Sequence, residues 1–350
     1  MPVLSGLLPS NVDDVVGTLS RILRTRDPAA WAEVRRTAMA VLATPIDLFA
    51  GHFEQRIYAR APAPELPIIF VCGPGRSGTS MMAQVLIRQL PVTYFSNVVG
   101  LFPRSPLIAT RIMSFALEQR RVSFRSFYGK SRGLSEPNDA MGIWDRWFPG
   151  DRNRLPDPPG TAALEAMKRF FGAWQEAWHT PIVAKNNRLY AYGEHVARAL
   201  PMAHFICLVR DPVYLAQSQL LARQLLRGRL DEPYGILTPE YEARAQPGRP
   251  AEDACAQVAA DRAVAERTRA SIGPSRFWMV SYERFCADPN ALLERLSREV
   301  LGQPFTPLTD AERESIRVSA RRILDEPLFA GIVSACEQLE LLRDPGCYYL

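Results

Sequence analysis

Lysine is almost missing from this chain of 350 residues: of its 42 basic side chains only Lys130, Lys168 and Lys185 are lysines. The bias toward arginine reads as one of overall composition, yet it makes Lys185 conspicuous. Histidine is equally scarce. His52, His179, His195 and His204 are the four, they are widely separated, and none belongs to a cluster with metal-ligand spacing, so no metal centre is expected. The six cysteines, Cys72, Cys207, Cys255, Cys286, Cys336 and Cys347, form no CxxC pair, and Cys72 and Cys207 lie within apolar runs. They read as reduced core thiols in a cytoplasmic protein and not as a disulfide framework. Long apolar runs are missing too. The first twenty or so residues lack a basic start followed by an apolar stretch, and the longest weakly polar segment, Thr37 to Phe53, is interrupted by Asp47, so neither an export signal nor a membrane span is expected. Blocks of one charge are absent. The net charge of +5 is spread along the chain, which argues against a nucleic-acid groove and leaves enough cation to line a pocket for an anionic nucleotide.

What is present begins at Leu66. An apolar run, Ile68 to Cys72, ends in Gly73-Pro74-Gly75-Arg76-Ser77-Gly78-Thr79-Ser80 and passes into a helical pattern. Strand, glycine-rich turn and helix form a phosphate cradle, in which the N–H groups of the turn and the positive helix end meet anionic oxygens. The spacing is that of a nucleotide P-loop. Where an ATP-binding loop has lysine this chain has Thr79, and its cation stands three residues earlier as Arg76, so the loop suits a shorter anionic group. A second segment repeats the logic. Phe205 to Val209 reads as a buried parallel strand, Arg210 and Asp211 follow it, Pro212 opens a helix, and Ser218 lies eight residues past Arg210. An arginine at a strand end, with a hydroxyl two helical turns on, can grip a second phosphate, the competing reading being an Arg–Asp pair that fixes the turn.

Together the two anchors resemble the sulfotransferases that use 3'-phosphoadenosine 5'-phosphosulfate (PAPS). By that resemblance Gly75, Arg76, Ser77, Gly78, Thr79 and Ser80 would receive the 5'-phosphosulfate, and Arg210 with Ser218 the 3'-phosphate. Pro181 to Asn187 resembles the family's strand ending in a catalytic lysine, here Lys185. Phe277 to Phe285 resembles its late strand with a Tyr-Glu pair, here Tyr282 and Glu283, with Tyr282 counted among the nucleotide contacts. The resemblance implies 3',5'-bisphosphoadenosine (PAP) as product and no metal. Three departures stand out. Met81 replaces an adenine-stacking tryptophan, Asn187 occupies the position of a catalytic histidine and cannot take a proton, and the Arg-Lys-Gly loop of cytosolic members is absent. The base is therefore sought among carboxylates.

From Ile68 onward short apolar strands at Ile68–Cys72, Val92–Phe95, Ile182–Ala184, Phe205–Val209 and Phe277–Ser281 alternate with helices. The expectation is α/β: a three-layer sandwich around a central parallel sheet, with P-loop-like architecture and the ligand outside the carboxyl ends of the strands. Residues 1–64 read as a helical extension, with a stripe of Val12, Val16, Leu19 and Leu23 and a second helix from Ala29 to about Leu42. This extension packs on the core or on a second copy in a homodimer, or else touches a membrane. Residues 65–350 read as the sulfotransferase domain, with acceptor-binding excursions at 96–157 and 227–250. The first excursion holds Glu136, Asp139 and Asp145 beside Tyr128, Trp144 and Trp147, the mixture expected of a pocket for a small-molecule hydroxyl acceptor. Glu136 is the first candidate for the general base and Asp139 the second, with Glu118 and His52 behind them. Two other classes share the loop: a nucleotide kinase or hydrolase, and a non-catalytic nucleotide-binding protein.

Overall fold

A computed structural model of the chain describes residues 17, 20–21, 24–25, 28–114 and 132–342. Val12, Val16, Leu19, Leu23, Glu118, Tyr128, Lys130 and Cys347 lie outside the described residues. Five parallel strands, β1 (Ile68–Cys72), β2 (Thr93–Tyr94), β3 (Ile182–Lys185), β4 (Ala203–Val209) and β5 (Phe277–Ser281), form one sheet in the order β2-β3-β1-β4-β5. β1 lies at the centre, where every residue is buried. Its register sets Ile68 opposite both Ile182 and Ala203, so the carboxyl ends of neighbouring strands share one edge.

The alternation of side chains divides the core into two layers. Ile68, Phe70, Phe205 and Phe277 face one cluster with Phe170, Phe171 and Trp174, whereas Ile69, Val71, Ile206 and Leu208 face another with Met82, Leu86 and Phe285. The longer helices cover both faces: α1 (Pro28–Arg60), α2 (Thr79–Gln89), α3 (Thr161–Trp178), α4 (Leu189–Ala199), α5 (Pro212–Leu226), α6 (Pro250–Ile272) and α7 (Glu326–Gln338). The chain enters the sheet through the proline-rich stretch after α1. Gln175 of α3 takes the place of a neighbouring strand there: its Oε1 accepts from the N–H of Glu65 and Leu66 at 2.8 and 2.9 Å, and its Nε2 donates to the Leu66 carbonyl at 2.7 Å.

α1 is fixed by its own carboxylates. Asp47 accepts from the N–H of Ser105 at 2.8 Å and Glu54 from those of Leu107 and Ile108 at 3.1 and 2.8 Å, which satisfies the free amides that begin the helix Pro106–Ile112. Asp47, the polar interruption in an otherwise apolar segment, is thus a buried cap. The two tryptophans expected to line the acceptor pocket are core residues instead. Trp144 packs at 5.7 Å from the Phe70 ring and Trp147 at 5.2 Å from Phe170, both buried. Asp145 pairs with Arg152 and not with the adjacent Arg146. Their aromatic character marked burial, and sequence position alone did not separate core from cavity.

A buried polar contact joins α4, α5 and α6. Tyr190 donates to Asp261 Oδ1 at 2.6 Å, and Gln219 lies 3.5 Å from Oδ2. Desolvation pushes the Asp261 carboxyl up to about 7, against the pull of those two donors. The unfolded value is about 3.9. Between these limits the folded chain holds a proton that the unfolded chain has lost, so stability falls as pH rises from about 4 to about 7 and the cost stays in full above that. Asp261→Asn, neutral throughout, should therefore raise the Tm at pH 8 and change it little near pH 4. Thermal unfolding at the two pH values checks this, and an equal shift at both would show that the carboxylate is not protonated in the folded protein.

Candidate active site

The loop between β1 and α2 has the backbone of a phosphate cradle. Gly73 and Gly78 have φ of 139° and 101°, a region open chiefly to glycine. At Gly78 a Cβ would meet the Tyr282 ring at 2.5 Å, and at Gly75 it would meet the Tyr234 ring at 2.7 Å, so two aromatic rings press on the loop where side chains are missing. Arg76 also has positive φ, 79°, a strained choice for a residue with a side chain. Contacts hold it there. Its carbonyl accepts from Arg210 Nη1 at 2.9 Å, and its Nε donates to Ser218 Oγ at 3.1 Å. Ser77 is fully buried, and its hydroxyl has no partner among the described residues.

The two sequence anchors therefore meet in space. Arg210 leaves the end of β4, its guanidinium lies 5.0 Å from the centre of the Tyr282 ring, and burial lowers its pKa while Tyr282 opposes that shift. Asp211 does not pair with it. The Asp211 carboxylate accepts from the N–H of Val213 and Tyr214 at 2.9 and 3.3 Å and so caps α5, with Pro212 in the first turn. Glu283 accepts from the Asp211 N–H at 3.0 Å, which ties the β4 and β5 ends together. Sequence reading missed the strap that crosses this edge. Arg210 Nη2 donates to the Ser319 carbonyl, Tyr282 donates to that of Arg317 at 3.3 Å, and Gln217 holds Arg321 and Ile323 through their backbones at 2.9 and 2.8 Å.

On the other side of the loop stands Lys185, at the end of β3. It is nearly buried, and its Nζ lies 2.5 Å from Asp139 Oδ1. The first excursion delivers Asp139 to that point by extending the pairing beyond β2: Asn97 N–H donates to the Glu136 carbonyl and Asn138 N–H to that of Phe95, both at 2.8 Å. Glu136 and Asp139 then differ in access. Glu136 is 1% exposed and accepts from Gln84 Nε2 at 2.8 Å, whereas the Asp139 side chain is 23% exposed. Asn187 is occupied elsewhere, its Oδ1 accepting from Thr79 Oγ1 at 2.8 Å and its carbonyl from Gly73 N–H at 3.2 Å. A further cation comes from α1. Arg36 is pushed down to about 10 by burial and held up by the nearby charge of Asp139; nothing in the sequence singled it out from the other arginines of that helix.

The second excursion closes over the loop. Arg223, fully buried in α5, binds Asp253 at 2.7 Å, Gln257 at 2.8 Å and the Leu230 carbonyl at 3.1 Å. Gln257 in turn holds the Tyr234 carbonyl at 2.5 Å, which sets the Tyr234 ring against Gly75. The two excursions also join: Leu237 N–H donates to the Asn153 carbonyl at 2.6 Å. His52, the remaining candidate base, is exposed on α1 and lies 3.2 Å from Arg56 Nη2.

Read across the carboxyl edge of the sheet, the order is Asp139 and Lys185, then the glycine loop, then Arg210, Ser218 and Tyr282. A glycine-rich loop opening a helix, an orphaned hydroxyl at Ser77 and cations on both flanks fit a nucleotide with anionic groups at two places. Among the described residues no group of His, Cys, Asp and Glu could hold a metal ion, and no helix is long and apolar enough to cross a membrane.

Comparison with solved structures shows the same fold. Sulfotransferase STF9 from Mycobacterium avium aligns with a TM-score of 0.51 at 18% identity, covering 91% of this chain and 83% of that one. Sulfotransferase STF1 from Mycobacterium tuberculosis H37Rv aligns with a TM-score of 0.51 at 12% identity, covering 87% and 82%. No curated protein matches the chain. The sulfotransferase family profile matches residues 67–307, a span that runs from the start of β1 past the end of β5 and takes in both anchors. The chain belongs to the sulfotransferase family.

Proposed function

We propose that the chain moves a sulfuryl group from PAPS to a hydroxyl of a small-molecule acceptor. One observation carries the reading: an ion pair of acid and lysine, a glycine loop and a desolvated arginine stand in that order along one sheet edge. PAPS would supply an SO3 group already activated on a phosphate oxygen. The loop amides from Gly75 to Ser80, with the Thr79 and Ser80 hydroxyls, hold its 5' end; Arg210, Ser218 and the Tyr282 ring hold the 3'-phosphate.

Lys185 and Arg76 face the leaving phosphate oxygen and stabilise the charge that builds there as its bond to sulfur breaks. Arg76 rests on Ser218 and Lys185 on Asp139. Lys185 thus stands beside the proposed base, whereas Arg76 rests on the 3'-phosphate side of the loop and would turn from Ser218 toward the leaving oxygen. Asp139 takes the proton of the attacking hydroxyl as the new oxygen–sulfur bond forms. Access favours it over Glu136, which holds the wall through Gln84. Arg36 and Lys185 flank the Asp139 carboxylate and position it. Tyr234 covers the loop from the side of the second excursion and keeps water from the donor.

Ligand-induced thermal stabilisation tests the reading without any acceptor. PAP at 100 times its Kd should stabilise the fold by about 2.7 kcal/mol with no magnesium present. Stabilisation by ATP that requires magnesium, with none by PAP, would assign the loop to nucleoside triphosphate chemistry instead.

A further inference from the structure

The outer side of α1 is apolar and uncovered. Met39, Leu42, Ile46, Phe49 and Phe53 are all exposed, and their spacing of three and four residues places them on one stripe. Leu42 is 80% and Phe49 71% exposed. Asp47 and Glu54, spent on the helix Pro106–Ile112, fix which side of α1 faces inward, so the stripe is turned outward by the same bonds that build the fold. It runs about 21 Å, at 1.5 Å per residue. Trp31 extends it at one end.

Among the described residues of α1 the exposed charges around the stripe have one sign. Arg35 precedes it, Arg56 and Arg60 follow it, and all three are exposed. Arg56 lies over the Phe53 ring at 5.7 Å. Apart from Glu33, the carboxylates of α1 are Asp47 and Glu54, both buried. The helix Pro106–Ile112 beside α1 ends in exposed Arg111 and Ile112. A second copy laid on this stripe would set arginines near arginines with few exposed acids to answer them, whereas an anionic surface answers them all.

We propose that α1 is an interfacial helix that docks the enzyme on anionic lipid bilayers, with Leu42, Ile46, Phe49 and Phe53 entering the headgroup boundary and Arg35, Arg56 and Arg60 meeting lipid phosphates. An apolar stripe with aromatic residues and an arginine border is the pattern of helices that lie in the membrane plane without crossing it. The inner side of the same helix sends Arg36 toward Asp139, so docking holds the site about one helix diameter, some 10 Å, from the bilayer.

Vesicle flotation tests this with the full chain. One set of vesicles is phosphatidylcholine alone, the other an equimolar mixture with phosphatidylglycerol. The protein should float with the mixed vesicles and not with phosphatidylcholine alone. Leu42→Ser with Phe49→Ser, and separately Arg56→Gln with Arg60→Gln, should each weaken that binding about tenfold or more. These side chains are exposed, and an unchanged Tm confirms that each variant is folded. Absence of binding to either vesicle, or binding that both variants keep, would overturn the proposal. So would a dimer in sedimentation velocity that Leu42→Ser with Phe49→Ser converts to monomer, since the stripe would then belong to a second copy. The readout involves no sulfuryl transfer and stands apart from the donor assignment.

Discussion

Replacing Lys185 by alanine should lower the rate of sulfuryl transfer by about 10²–10³-fold, the usual loss when a preorganised cation or donor is removed from developing charge. Lys185 is the ion-paired cation at the end of β3, nearly buried and 2.5 Å from Asp139, where the surrounding protein screens little of its field. The loss should fall on kcat and leave PAPS affinity within a few-fold, because the charge on the leaving oxygen develops only as the bond to sulfur breaks; PAP, which carries that charge in full, should bind the variant less well. Arg76→Ala should reduce turnover as well and, because its guanidinium ties the loop to Ser218 and would meet the nucleotide's phosphate, weaken PAP binding in addition. Single-turnover release of PAP from isotopically labelled donor reads both effects. A folded Lys185→Ala protein with parental turnover would contradict the role.

Asp139→Asn carries the second large effect. Loss of a general base costs about 10²–10⁴ in rate, and the amide keeps the shape of the side chain while giving up its proton affinity. Product formation by mass spectrometry, over a panel of alcohols and phenols, should fall by at least about 10²-fold for Asp139→Asn, with PAP affinity retained. Glu136→Gln should behave differently. Its carboxylate is buried against Gln84, so that variant should alter the Tm more than kcat. Because Asp139 and Lys185 touch, their double variant should lose less than the product of the two single losses. Full turnover in Asp139→Asn and a large loss in Glu136→Gln would return the base to the buried carboxylate.

Much of this was legible in the residues because the signals were local. Each strand is an apolar run between turn residues, and the loop glycines follow from the φ values that the turn demands. Ile68–Cys72 and Phe277–Ser281 match the sequence expectation residue for residue, and β3 runs one residue further, through Lys185. The pairing of Arg210 and Ser218 with the glycine loop was also readable, since both lie at strand ends that a parallel sheet must bring to one edge. Other parts depend on contacts distant in sequence. Trp144 and Trp147 look alike in a core and in a pocket, and only their packing on Phe70 and Phe170 decides between them. Arg36 and Tyr234 reach the site from segments that carry no motif, and the strap at Arg317 to Ile323 has no regular structure to announce it. Access separated Asp139 from Glu136, and access is a property of the fold alone.

The central claim is that Arg210 and its neighbours recognise a 3'-phosphate on the donor nucleotide, and calorimetry of Arg210→Ala with PAP and with adenosine 5'-phosphosulfate tests it most directly. An arginine bound to phosphate in a partly desolvated site accounts for about 2–3 kcal/mol, or roughly 30- to 150-fold in Kd. The account predicts a loss of that order for PAP, while adenosine 5'-phosphosulfate, which has no 3'-phosphate, binds the variant nearly as well as the parent. Equal losses for the two nucleotides would contradict it, showing that Arg210 supports the loop through the Arg76 carbonyl and does not read the phosphate.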